Sequence, residues 1–242
     1  VLDIIGEPNK IEDFLQGQVT SDISVIANND VQLSCICNQK GIVMASFAIT
    51  RIDSDLKIVI AKDLIKIFKE DLSPFSQFFN VSFKESNKYV KASICKDGED
   101  TQEFLKNEFC SLFLSFSDEE DHIEKSISED NWSMANKILG NYCLAFKDVG
   151  KFRPLELNYD HLRVSFTKGC YRGQEIVARM KYLGVNRRKF STVIAEVDSD
   201  YCKEMKNIGD RTYYQNYEIF NTLIKRDELA SIESEASIKK II

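Results

Sequence analysis

Lys168-Gly169-Cys170-Tyr171-Arg172-Gly173-Gln174-Glu175 is the stretch on which the reading of this chain turns. A strand-like run, Arg163-Val164-Ser165-Phe166, precedes it, and an amphipathic helix from about Gln174 to Leu183 follows and stops at Gly184. Two glycines bracket Cys170 on what reads as a tight strand-to-helix turn, because unusual backbone angles and close backbone approach cost least at glycine. The turn puts the thiol near a helix N-terminus, with Lys168 and Arg172 beside it. Positive charge and the helix dipole both favour thiolate, so a lowered pKa is expected for Cys170. Glu175 and Arg179 are spaced to pair on the helix surface. The other reading of Cys170 is a small apolar side chain packed in a structural turn.

Toward the N-terminus, residues 10–18 read as a short helix running into a turn at Gly17. Residues 31–37, 42–50 and 56–61 read as strands, and Asn38-Gln39-Lys40-Gly41 as the hairpin loop between the first two. Residues 62–72 form an amphipathic helix stopped before Pro74. Strand-like runs return at 89–95 and 112–116, and Trp132 to Leu139 reads as a helix ending at Gly140. Beyond Gly184, residues 190–197 and 212–220 are strand-like, with turn signals at 198–200 and 207–210. Grouped strands with intervening helices indicate α+β rather than regular βαβ winding. We expect a region spanning 1–185 and a small C-terminal β-barrel over 186–242.

The chain has 242 residues, enough for a sizeable core. No apolar run approaches the ~18 residues of a membrane helix, and Val1 to Ile5 is too short and acidic for a signal peptide. The seven cysteines, an odd number in a chain that is not small, read as reduced thiols, so a cytoplasmic location is expected. No C-x-x-C occurs and the histidines are only His122 and His161, so no metal site is expected. Cys35-x-Cys37 has strand spacing and reads as a packed pair on one face.

Net charge is −6, from which no direct nucleic-acid contact is expected. The charge is unevenly placed. Residues 96–130 hold twelve acids and three lysines, a solvated stretch; residues 140–190 hold eleven Lys/Arg and four acids, a local field that attracts an anionic small molecule. Arg187-Arg188-Lys189 could meet RNA or be a solvated strand edge, and the sequence leaves both open.

Lys168 to Glu175 resembles the K-G-C-Y-x-G-Q-E signature of the YgfZ family, folate-binding relatives of the glycine-cleavage T-protein. Phe14-Leu15-Gln16-Gly17-Gln18 with Val19-Thr20-Ser21-Asp22 resembles that family's N-terminal F-L-Q-G-Q-x-T-x-D element, and Cys37-Asn38-Gln39-Lys40-Gly41 its C-x-x-K-G hairpin. Pro154 to Phe166 resembles the run leading into the signature. Two positions depart from the pattern: Lys137 stands where the family has Arg, and Asn141-Tyr142-Cys143 where it has G-x-P.

The resemblance implies two mixed α/β domains and a small barrel arranged as a ring around a folate channel, the aminomethyltransferase architecture. It implies a tetrahydrofolate-type cofactor, with Trp132, Arg172, Gln174, Glu175 and Gln18 contacting it. Cys170 is then the functional thiolate, assisted by Lys168. The implied function is an accessory one, supporting assembly or repair of iron–sulfur enzymes, including those that modify tRNA, with assembly or client proteins as partners and no membrane. The alternative is a tetrahydrofolate-dependent aminomethyltransferase of the T-protein type. That chemistry uses a carboxylate on the hairpin after the glycine turn, and Gly41-Ile42-Val43-Met44-Ala45-Ser46 has none.

Overall fold

A computed structural model describes residues 1–94, 102–118, 127–184 and 187–242. Cys95, His122, much of the acidic stretch and the expected boundary between 185 and 186 lie outside the described residues. Among the described residues, no helix is long and apolar enough to cross a membrane.

The chain opens with β1 (Leu2–Ile5), α1 (Pro8–Gln18), β2 (Val31–Cys37), β3 (Val43–Ile52), β4 (Asp55–Ile60), α2 (Ile65–Phe79) and β5 (Ser82–Glu85). The five strands form one antiparallel sheet in the order β2-β3-β4-β1-β5. Both of its faces are covered. Ile36, Phe47, Ile49 and Ile58 pack under α1 and α2 with Phe14, Phe68 and Leu72. Cys35, Cys37 and Val43 face the other way, against Leu144, Leu157, Tyr159 and Val177. The two-residue period of β2 puts both cysteines on one face, as their spacing predicts. A register shift between Ile36 and Cys37 lets the hairpin turn away from the sheet.

β6 (Tyr89–Ser93), β7 (Gln102–Lys106) and β8 (Ser111–Ser117) form a second sheet, order β6-β8-β7. It meets the first between β2 and β7. Then follow α3 (Glu129–Ile138), capped by the Ser128 hydroxyl, the short α4 (Tyr159–Leu162) and α5 (Gln174–Leu183). The C-terminal strands are β9 (Arg188–Glu196), β10 (Asn207–Tyr214), β11 (Tyr217–Lys225) and β12 (Ile238–Ile241), with α6 (Asp200–Lys203) and α7 (Leu229–Glu233) between them. Their order is β10-β11-β9-β12. This sheet stands where a barrel was expected; among the described residues its edge strands β10 and β12 do not pair with each other.

Three expectations need correction. Pro74 does not stop α2 but sits inside it. A proline mid-helix costs about 3 kcal/mol, and burying Phe75, Ser76 and Phe79 on the far side offsets it. Residues 163–166 are irregular rather than a strand, because Arg163 is buried and bonded to three separate segments. The expected turn at 207–210 lies within β10 as a register shift, and the chain reverses instead at Gln215, whose φ is 52°.

Candidate functional site

The signature loop is fastened to the N-terminal third of the chain at four points. Gly173 caps α5 with a φ of 83°, and a Cβ there would come within 2.5 Å of the Asn38 carbonyl oxygen and 3.1 Å of the Gly41 Cα. The hairpin that supplies those atoms is locked by the Asn38 side chain, which accepts from Lys40 N at 2.9 Å and Ile42 N at 3.1 Å. Arg172 N donates to the Gly17 carbonyl at 3.1 Å. The Arg172 guanidinium pairs with the Asp71 carboxylate of α2 and lies over the Phe75 ring, 4.9 Å from its centroid. Lys168 Nζ donates to the Val19 and Ser21 carbonyls, each at 2.8 Å.

Both cations were expected beside the Cys170 thiol. Each instead has its charged end turned inward, where Arg172 holds the loop to α2 and Lys168 holds it to the segment after α1. Cys170 itself is exposed. Gly169 is not forced to be glycine: its φ is not positive and a Cβ there would meet nothing within 4 Å. Glu175 is exposed and pairs with Arg179 at 3.5 Å, as the spacing predicts. Gln174 is half-buried at the start of α5. Gln18, at the end of α1, keeps a buried Oε1 without a hydrogen-bond partner. Behind the loop lie Cys35 and Cys37, both fully buried, with Thr20 Oγ1 3.2 Å from Cys35 Sγ. The Cys35 sulfur, and then burial, push the Cys37 thiol up.

Burial also pulls the Lys168 ammonium down, to about 8 from its ordinary 10.5. Since the folded value is the lower one, the folded state releases its proton first as pH rises. Below about 8 folding bears the full cost of burying this charge; between 8 and 10.5 the unfolded chain binds more proton and stability rises with pH. Urea unfolding at pH 7.5 and 9.5 should show wild type gaining on Lys168→Met by on the order of 1 kcal/mol. Parallel behaviour of the two proteins would mean that Lys168 folds at no electrostatic cost.

A separate place in the fold gathers Trp132. A cavity of about 310 Å³ lies between the first two sheets and α3, walled by Leu33, Phe47, Leu114, Trp132 and Arg163 among others. A smaller one of about 180 Å³ lies between α3 and β10. Trp132, Asn136, Asn141 and Cys143 line both, so the two are contiguous. Trp132 is half-buried, its ring 6.4 Å from that of Phe104. Lys137 lines the smaller cavity, 6% exposed, its ammonium held by Ser133 Oγ and Thr212 Oγ1 and its pKa lowered by burial. Arg163, 2% exposed, donates to the Ser34 and Phe47 carbonyls and to Asn141 Oδ1, but its Nε has no partner. No carboxylate lines the larger cavity among the described residues.

Of the residues singled out in the sequence, Trp132 lines this double cavity together with Lys137, Asn141, Tyr142 and Cys143, the positions that depart from the family pattern. Lys168, Cys170, Arg172, Gln174, Glu175 and Gln18 cluster around the start of α5. Sequence reasoning missed Arg163 and Asn136 as cavity residues. A single cation in an otherwise strand-like run was the available sign for Arg163; Asn136 carried none.

No family model matches this chain. An uncharacterized protein of Haemophilus influenzae is 30% identical over 181 residues, 73% of this chain and 65% of that protein. The tRNA-modifying protein YgfZ of Vibrio atlanticus is 25% identical over 215 residues, 78% of this chain and 65% of its own length. The chain thus spans a little under two thirds of these relatives. Among solved structures, the glycine cleavage system aminomethyltransferase T of Bartonella henselae superposes with a TM-score of 0.59 at 11% identity, over 100% of this chain and 80% of that one. Signature, hairpin and fold agree with these likenesses, and the chain is a relative of the YgfZ family carried on the fold of aminomethyltransferase T.

Proposed function

We propose that the chain is a folate-binding accessory protein supporting iron–sulfur enzymes, including those that modify tRNA, and that it does not itself transfer aminomethyl groups. The observation that carries the reading is Trp132 standing in the wall common to the two contiguous cavities. The indole offers a face for a pterin ring, and Asn136 and Asn141, bonded to each other, to the Trp132 carbonyl and to Arg163, hold the wall beside it. The Lys137 ammonium, paired with hydroxyls rather than a carboxylate, suits an anionic glutamate tail. The unpartnered Arg163 Nε fits a ligand bearing an acceptor, since a buried donor left unpaired is costly. When bound, a reduced folate would supply one-carbon or hydride chemistry. The residues around it bind and orient; among the described residues no carboxylate lines the larger cavity, and Asp210, which lines the smaller one, is paired with Lys147. The exposed Cys170 thiol serves iron–sulfur chemistry only with a partner, since one cysteine cannot hold a cluster. Client or assembly proteins in the cytoplasm are that partner.

Trp132 is the sole tryptophan, so intrinsic fluorescence reports on the cavity alone. Titration with 5-formyltetrahydrofolate should change the emission with micromolar affinity, about 8 kcal/mol. A flat emission together with a flat calorimetric trace would remove the folate reading. Ammonia release from an aminomethyl-lipoyl carrier above the uncatalysed rate would restore the aminomethyltransferase alternative.

A further inference from the structure

A third cavity, of about 380 Å³, opens on the C-terminal sheet, away from Trp132 and from the signature loop. Its wall includes Phe152, Tyr201, Arg188, Lys206 and Lys225. An adjoining hollow of about 290 Å³ shares Arg188 and Leu223 with it and adds Arg187. In sequence these cations are scattered over 187–226; the fold collects them at one end of the sheet. Arg188 at the start of β9 pairs in register with Lys225 at the end of β11. Arg226 N donates to the Arg187 carbonyl at 3.0 Å, and the Lys206 carbonyl accepts from Thr222 Oγ1 at 2.8 Å. Segments 187–189, 204–206 and 225–228 together hold the cations Arg187, Arg188, Lys189, Lys206, Lys225 and Arg226 against the acids Glu204, Asp227 and Glu228. That local excess of positive charge stands out on a chain whose net charge is −6.

We infer that this end of the C-terminal sheet is an RNA-binding surface, its cations meeting phosphates and Tyr201 stacking a base. Charge complementarity selects a polyanion, because cations at the ends of the paired strands β9 and β11, with Lys206 just before β10, match a repeating charge better than a single one. Tyr201, 39% exposed on the cavity wall, supplies the flat apolar face that distinguishes a nucleic acid from a plain polyanion. RNA is chosen over DNA because the YgfZ relatives are described as tRNA-modifying. The net charge, from which no nucleic-acid contact was expected, is an average that this surface escapes. The inference is independent of the folate reading, since the two sites share no residue.

The test is fluorescence anisotropy with a labelled tRNA transcript at several salt concentrations, using the full chain. Arg187→Gln, Lys206→Gln and Lys225→Gln combined should weaken binding roughly tenfold or more and lower the salt slope by about 2. The same number of changes on exposed lysines elsewhere, Lys62→Gln, Lys66→Gln and Lys84→Gln, should leave binding within about twofold. Tyr201→Ala should weaken binding roughly fivefold or more without moving the slope. No tRNA binding by wild type, or equal losses in both triple variants, overturns the proposal. Binding that heparin displaces as readily as unlabelled tRNA, with Tyr201→Ala unchanged, overturns it too, since the surface would then be a general polyanion patch.

Discussion

Cys170→Ser is expected to yield a protein that folds, keeps its cavity and fails completely in cells. The loop around Cys170 is held by backbone and by its neighbours: Lys168 reaches Val19 and Ser21, Arg172 reaches Asp71, and Gly173 seats against Asn38. The thiol is exposed and takes no part in those attachments. Unfolding free energy should therefore change by less than about 1 kcal/mol. Affinity for 5-formyltetrahydrofolate should also stay put, because Cys170 does not line the cavity of Trp132. Serine is nearly isosteric but is neither a soft ligand nor a ready anion, so the chemistry of the thiol goes with the sulfur. In cells lacking the wild-type protein, the variant should leave iron–sulfur enzyme activity at the deletion level. Rescue equal to wild type would show that the loop acts through some other group, and that the thiol is incidental.

The second large effect separates two glycines that the sequence presents as equivalent. Gly173→Ala should destabilise the protein by about 3 kcal/mol, while Gly169→Ala should stay within about 0.5 kcal/mol. At Gly173 two penalties combine: a φ of 83°, which an L side chain rarely adopts, and a carbonyl oxygen 2.5 Å from the added carbon. Relief requires the hairpin to back away, and Gly41 cannot follow freely, its own φ being 67° with Ile176 against it. At Gly169 the added methyl projects into open space. Urea denaturation of both single variants settles the matter, and comparable losses at the two positions would contradict the geometry.

Local regularity made much of the fold readable. α5 appears over the residues that the apolar spacing predicts, because Gly173 and Gly184 punctuate it, and β2 appears with both its cysteines on one face. The short strands β1, β5, β7 and β12 were not foreseen; only pairing with partner strands makes their residues extended. Pro74 misled because a local rule was overruled by tertiary burial. At the site, glycine and cation patterns located the signature loop but misjudged where its side chains point. Lys168 and Arg172 are near Cys170 in sequence, yet their acceptors lie at Val19, Ser21 and Asp71, which no local window contains. The double cavity was legible only through Trp132 and the nearby departures at Lys137 and 141–143, since its other walls come from two sheets far apart in the chain.

The seat of Gly173 on the Asn38–Gly41 hairpin joins positions 132 residues apart, 173 against 41. During synthesis the first sheet leaves the ribosome long before its cover: at ordinary translation speeds roughly ten seconds pass between the two. Through that interval the face carrying Cys35 and Cys37, sealed in the finished protein, has neither Tyr159 nor Val177 to lie on it. The newborn chain thus presents a reduced thiol pair to its surroundings for a limited time. Oxidants, metal ions and chaperones can reach these two sulfurs in the nascent chain and lose that access once residue 177 has docked.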